Sequence, residues 1–150
     1  RDQTWRCCDV AMVPYKPFTE WLYERVSQRV QWGNAEHWGF ELLGLREPFQ
    51  VLRYRAPTEE GAPAGKYDWH QDYGAGYMSN RKLSFVAQLS SPEDYDGCRL
   101  ELHTHVAEEM PYVQRGDAVL FASWTPHRVT PITRGERYAI VAWVHGPAFR

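Results

Sequence analysis

The chain has 150 residues, a formal net charge of −2, and 43% hydrophobic and 15% aromatic residues, with a pI near 6.3. That length suits one domain, residues 1–150, with a sizeable core, and the apolar content excludes a disordered polypeptide. The near-neutral charge argues against nucleic acid or an anionic membrane as partner, and no apolar run approaches the roughly 20 residues that span a bilayer.

Cys7 and Cys8 open the chain, and with Cys98 they make an odd number. That is no disulfide framework, so a reducing, cytoplasmic setting is expected. Residues 18–32 read as a helix, with Phe18, Leu22, Val26 and Val30 recurring every fourth position and charged residues between them. Gly33-Asn34 supplies its stop. From about residue 38 to 146 the pattern changes to short strands. Phe40–Leu45 and Phe49–Tyr54 come first, then the breaker-rich Ala56–Gly65, which reads as an exposed loop. Tyr67–Asp72, Lys82–Leu89, Arg99–His105, Ala118–Ala122 and Arg137–Val144 follow, with turns expected at Arg115-Gly116-Asp117 and Arg134-Gly135-Glu136. A leading helix followed by many short strands predicts a mainly β sandwich or barrel with the helix packed outside.

Chemistry concentrates in two places. His70 and Asp72 stand at i and i+2, which on a strand puts both side chains on one face and Gln71 on the other. His127 must then arrive from a distant strand. Two neutral imidazoles and a carboxylate suit one face of a non-haem Fe(II) ion, leaving the opposite face open. Arg137 follows His127 by ten positions, and its strand would present Arg137, Ala139, Val141 and Trp143 on one side. A buried cation there can anchor a dicarboxylate by paired hydrogen bonds.

A competing metal pattern lies between them. Gly97, His103, His105, Glu109 and Gly116 have the spacing of the first cupin motif. The second cupin motif would have to begin at Gly116, which leaves no chain for the intervening strands. On a strand from residue 99, Leu100 and Leu102 face the core and Arg99, Glu101 and His103 face solvent. The His103/His105 pair therefore reads as surface.

Blocks of sequence in a fixed order decide among these readings. They are Gly65-Lys66-Tyr67-Asp68-Trp69-His70-Gln71-Asp72, Arg81 to Ser90, Asp94 to Gly97 with Leu100-Glu101-Leu102, Gly116 to Phe121, Pro126 to Pro131, and Arg134 to Ile140 with Trp143. In residues 50 to 150 the chain resembles the prolyl-4-hydroxylase-like branch of the iron(II)/2-oxoglutarate-dependent dioxygenases. The resemblance implies a double-stranded β-helix (jelly-roll) and hydroxylation of an unactivated C–H bond in a prolyl or other amino-acid residue. It implies Fe(II), 2-oxoglutarate, O2 and ascorbate as cofactors and co-substrates. By position it makes His70, Asp72 and His127 the iron ligands and catalytic set. Arg137 and Tyr54 become co-substrate residues, while Tyr67 and Trp143 line the iron pocket or the substrate entrance. The partner implied is a peptide, protein or amino acid.

The chain departs from the branch at Gly97-Cys98, where many relatives carry Gly-Gly, and at Gln88, where some carry a second co-substrate tyrosine. Two other readings stand beside this one. One is a non-catalytic module that binds a peptide or 2-oxoglutarate; the other is a cupin using His103, His105 and Glu109.

Overall fold

The computed structural model describes residues 5–104, 107–109 and 113–149, without side chains for 107–109. Two short strands, β1 (Arg6–Cys7) and β2 (Asp9–Val13), precede the helix α1 (Glu20–His37). Then come β3 (Gly44–Leu45), β4 (Phe49–Arg55), β5 (Lys66–His70), β6 (Arg81–Gln88), β7 (Tyr95–Gly97) and β8 (Leu100–His103). β9 (Ala107–Glu109), β10 (Ala118–Ala122), β11 (His127–Val129) and the long β12 (Ile132–His145) complete the set.

The strands form two antiparallel sheets, and together they make a double-stranded β-helix with α1 outside. The minor sheet runs β1-β5-β11-β8-β9; the major sheet runs β10-β6-β12-β4-β2, with β3 and β7 also pairing with β12. Alternation along β12 sorts the core into two layers. Ile140, Ala142 and Val144 pack with Phe49, Leu83 and Phe85 under Tyr23, Val26 and Val30 of α1. Val141 and Trp143 point the other way, into a cluster with Leu52, Tyr54, Leu100, Phe121 and Val129 between the sheets. Burial of these side chains is the main stabilising term, at about 25 cal/mol per Å² of apolar surface.

Several sequence expectations change. The helix runs from Glu20 to His37, not 18–32. Phe18 and Trp21 are 77% and 61% exposed, and the buried stripe is Tyr23, Val26 and Val30. Gly33-Asn34 does not stop the helix because each residue has a packing task. A Cβ on Gly33 would sit 2.7 Å from Leu120 Cδ2, so glycine lets α1 approach β10 closely. The Asn34 side chain is buried and caps the exit, Nδ2 donating to Phe40 O and Oδ1 accepting from Phe40 N. That engagement leaves Phe40 irregular, and only Gly44–Leu45 of the expected first strand pairs.

β structure also begins well before residue 38, in β1 and β2. The expected turn at Arg134-Gly135-Glu136 lies inside β12. Gly135 has φ +73°, and a Cβ there would lie 1.9 Å from Asp94 O. The glycine marks the close crossing of the segment before β7, not a reversal of the chain. Glu101 is buried rather than solvent-facing, because Arg128 on β11 reaches it with Nε.

Candidate functional site

β5 and β11 lie side by side with His70 directly opposite His127. Their rings meet at a centroid distance of 4.1 Å. Asp72 completes the group: its Oδ1 is 3.7 Å from His70 Nε2 and its Oδ2 is 3.5 Å from His127 Nε2. One donor atom from each residue lies within 4.8 Å of the others, the one such cluster with metal-holding geometry among the described residues.

Backbone carbonyls set the tautomers. His70 Nδ1 is 2.7 Å from Asp68 O, and His127 Nδ1 is 2.9 Å from Thr125 O. A carbonyl only accepts, so each Nδ1 carries the proton and each Nε2 offers a lone pair toward Asp72. Burial pushes the His70 imidazole down to about 4, and the adjacent His127 adds to the shift. The ring is therefore uncharged at neutral pH, with Nε2 free of a proton, as a ligand atom must be. Two such nitrogens and a carboxylate fit a borderline divalent ion such as Fe(II).

Asp72 is not on the strand that carries His70, as the i, i+2 argument assumed. β5 ends at His70, and Asp72 is pinned beyond it by its own N–H donating to Ser123 O at 2.9 Å. Ser84 Oγ donates to Asp72 Oδ2 at 2.6 Å and lies 3.1 Å from Ser123 Oγ. Gln71 does turn aside, its Nε2 donating to Trp124 O. Regular strand parity would aim Tyr67 away from His70, yet their rings stack at 3.6 Å and 16°. The cause is a bulge. His127 pairs with His70 and Val129 with Tyr67, so three steps on β5 oppose two on β11. The far side of Tyr67 carries the Arg6 guanidinium, 4.6 Å from the ring centroid.

A cavity of about 310 Å³ opens from the His-Asp-His cluster and is lined by Tyr54, Tyr67, Tyr77, Arg137, Val141 and Trp143, among others. All the expected site residues therefore face one space. Arg137 is opposite Tyr54 across β12 and β4, its Cζ 5.8 Å from the ring centroid. Burial raises the Tyr54 phenol pKa, so the hydroxyl keeps its proton. Arg137 is 5% exposed, and its Nε donates to Gln88 Oε1 at 2.9 Å. Gln88 in turn donates to Tyr95 Oη and Ser90 O, which fixes its oxygen toward the arginine. The position that departs from the family branch thus orients the cation.

Cys98, the other departure, also borders Arg137, and burial pushes its thiol up to about 11. It adopts φ +53°, a conformation that favours glycine. The Trp143 indole N–H has no hydrogen-bond partner, alone among the buried side-chain polar atoms described. Ala56, Pro57, Thr58, Ala62 and Pro63 line a second cleft, of about 340 Å³, which shares Arg6 with the cavity at the His-Asp-His cluster.

The candidate ligand and anchor residues are those the motifs suggested; the polar groups around them were not singled out. These are Ser84, Ser123, Arg81, Glu47 and His145. A signal existed for one strand: on β6, Ser84 and Gln88 alternate with Leu83, Phe85 and Ala87, and a polar face on a central strand points into a site. Of the cupin set, His103 is exposed and meets Trp69 edge-on. His105 and the Glu109 side chain lie outside the described residues.

Comparison with known proteins agrees with this geometry. A family model described as the 2OG-Fe(II) oxygenase superfamily matches residues 49–145. A PKHD-type hydroxylase of Synechococcus sp. is 45% identical over 62 residues, which are 41% of this chain and 28% of that protein. One from Teredinibacter turnerae is 38% identical over 85 residues, covering 53% and 38% of the two chains. The chain thus spans well under two thirds of these curated relatives. A Pseudomonas putida prolyl-4-hydroxylase superposes with a TM-score of 0.75 at 18% identity, over 98% of this chain and 76% of its own. A Trichoplax adhaerens prolyl hydroxylase, solved with a hypoxia inducible factor peptide fragment, gives 0.74 at 19% identity over 97% and 66%. At such identities the likeness is one of fold.

Proposed function

The chain belongs to the 2OG-Fe(II) oxygenase superfamily, and on that footing we propose that it hydroxylates an unactivated C–H bond of a prolyl or other amino-acid residue. The observation that carries the proposal is the placement of Arg137 in the same cavity as the His-Asp-His cluster. A buried arginine held by a neutral amide keeps its positive charge available for an anion.

In this reading His70, Asp72 and His127 hold Fe(II) through two Nε2 atoms and a carboxylate oxygen. Bound there with 2-oxoglutarate and O2, the iron would supply the oxidising power for hydroxylation, with succinate and CO2 as by-products. The chain's own residues do the rest. Arg137, oriented by Gln88, grips the distal carboxylate of 2-oxoglutarate, and the protonated Tyr54 phenol donates nearby. Tyr67 buttresses His70 by stacking. Trp143 forms part of the cavity wall beside Val141. The apolar walls, Leu52, Leu100, Val129 and Val141 among them, limit water around the reacting centre.

A peptide or protein is the substrate proposed, supported by the relatives named PKHD-type hydroxylase and by the peptide held by the Trichoplax neighbour. Ascorbate would serve to keep the iron reduced. No helix among the described residues is long and apolar enough to cross a membrane; the three free thiols support a cytoplasmic setting. Incubation with Fe(II), 2-oxoglutarate, ascorbate and a library of proline-containing peptides tests the reading. A peptide mass gain of one oxygen with matching succinate is expected. Succinate formation in no case, from protein shown to bind metal and 2-oxoglutarate, would point to a binding module instead.

A further inference from the structure

Asp72 stands beyond the end of β5, so no strand ladder fixes it. Ser123 takes its N–H and Ser84 its carboxylate. Its carbonyl oxygen accepts from Arg81 Nη1 at 3.1 Å, and Arg81 is itself 6% exposed. The other edge of that guanidinium forms a fork with Glu47, Nε to Oε1 at 2.7 Å and Nη2 to Oε2 at 2.6 Å. Glu47 Oε1 is also bonded by His145 Nε2 at 2.7 Å. The Arg81 guanidinium also lies over the Trp143 ring, Cζ 3.9 Å from its centroid. One side chain thus touches the backbone of Asp72 and the indole whose N–H is unpartnered.

We infer that Arg81, clamped by Glu47, which His145 holds in turn, is a positioning residue: it fixes the main chain of Asp72, and through it metal affinity, and it also holds the Trp143 indole. The inference rests on the metal role of Asp72 proposed above. Buried ion pairs add little net stability, because desolvation offsets most of their attraction. A pair kept at this depth is better accounted for by the geometry it imposes. Only a planar group with five donors can make the Glu47 fork, the Asp72 bond and the contact over Trp143 at once; a lysine ammonium cannot. Groups that orient metal-bound side chains typically change metal affinity by about 10- to 100-fold when removed.

The test is a Mn(II) titration of the full chain followed by electron paramagnetic resonance, on wild type, Arg81→Lys and Glu47→Gln, with thermal unfolding alongside. Arg81→Lys is expected to raise the Mn(II) Kd about tenfold, and Glu47→Gln to raise it less, in protein that still unfolds cooperatively. Should Arg81→Lys fail to fold, Glu47→Gln decides alone. Wild-type Mn(II) affinity in the folded variants, even with a lowered Tm, would overturn the inference and leave the metal centre standing. Failure of wild type itself to bind Mn(II) would overturn the metal centre and this inference with it.

Discussion

Tyr67 and His70 stack face to face, centroids 3.6 Å apart, because β5 carries one more residue than β11 between their paired positions. The stack holds one imidazole plane while the Asp68 carbonyl holds its tautomer. Tyr67→Phe should keep both ring and stack and shift stability by under about 0.5 kcal/mol. Tyr67→Ala should cost about 2 kcal/mol, combining the lost stack with a partly filled void. Urea unfolding of the metal-free protein checks both values.

Gln88 gives a second prediction. Its oxygen, 2.9 Å from Arg137 Nε, aims the guanidinium without neutralising it. Gln88→Glu would place a carboxylate on Arg137 and compete with the co-substrate. The 2-oxoglutarate Kd should rise by at least about tenfold, since bonds to charged groups are worth about 1.5–3 kcal/mol. Mn(II) affinity should hold within about twofold. Calorimetric titration of each ligand separates the two effects, and equal losses would mean general disruption of the site.

Stability should depend on pH through His70. Its folded pKa, about 4, lies below the usual 6.5 because burial disfavours the charged ring. The unfolded chain therefore binds the proton first. The stabilising contribution is complete above pH 6.5, falls as pH drops toward 4, and changes no further below that. The full swing is on the order of 3 kcal/mol. Unfolding free energies of metal-free protein from pH 7 to 4 should show this decline, and His70→Gln should flatten much of it. A wild-type profile that is level over that range would contradict the assignment.

Gly135→Ala should destabilise by at least about 2 kcal/mol. The position needs φ +73°, and the added methyl would meet Asp94 O at 1.9 Å. Thermal unfolding measures the loss.

Much of the site was legible because its chemistry is local in sequence. His70 and Asp72 share a tripeptide, and parity along β12 correctly put Arg137 and Trp143 on one face. What stayed hidden depends on partners far along the chain. The bulge that turns Tyr67 toward His70 exists only in the register between β5 and β11. The early end of β5 is set by Ser123, 51 residues after Asp72, capturing the Asp72 N–H. Gly33-Asn34 and Gly135 carry ordinary breaker signals, yet close packing on Leu120 and Asp94 gives those residues other uses. The strands β1 and β2 escaped notice because Asp9–Val13 is largely exposed at the sheet edge and lacks a clear alternating pattern.

In the proposed reading one cavity holds Fe(II) on His70, Asp72 and His127 and 2-oxoglutarate on Arg137. Anaerobic addition of Fe(II) and 2-oxoglutarate to the protein, read by visible absorption, tests it most directly. A metal-to-ligand charge-transfer band is expected in wild type, lost in Asp72→Ala and weakened in Arg137→Ala. Absence of the band in folded, iron-loaded wild type, or its persistence at full strength in Asp72→Ala, would rule out this iron and 2-oxoglutarate site.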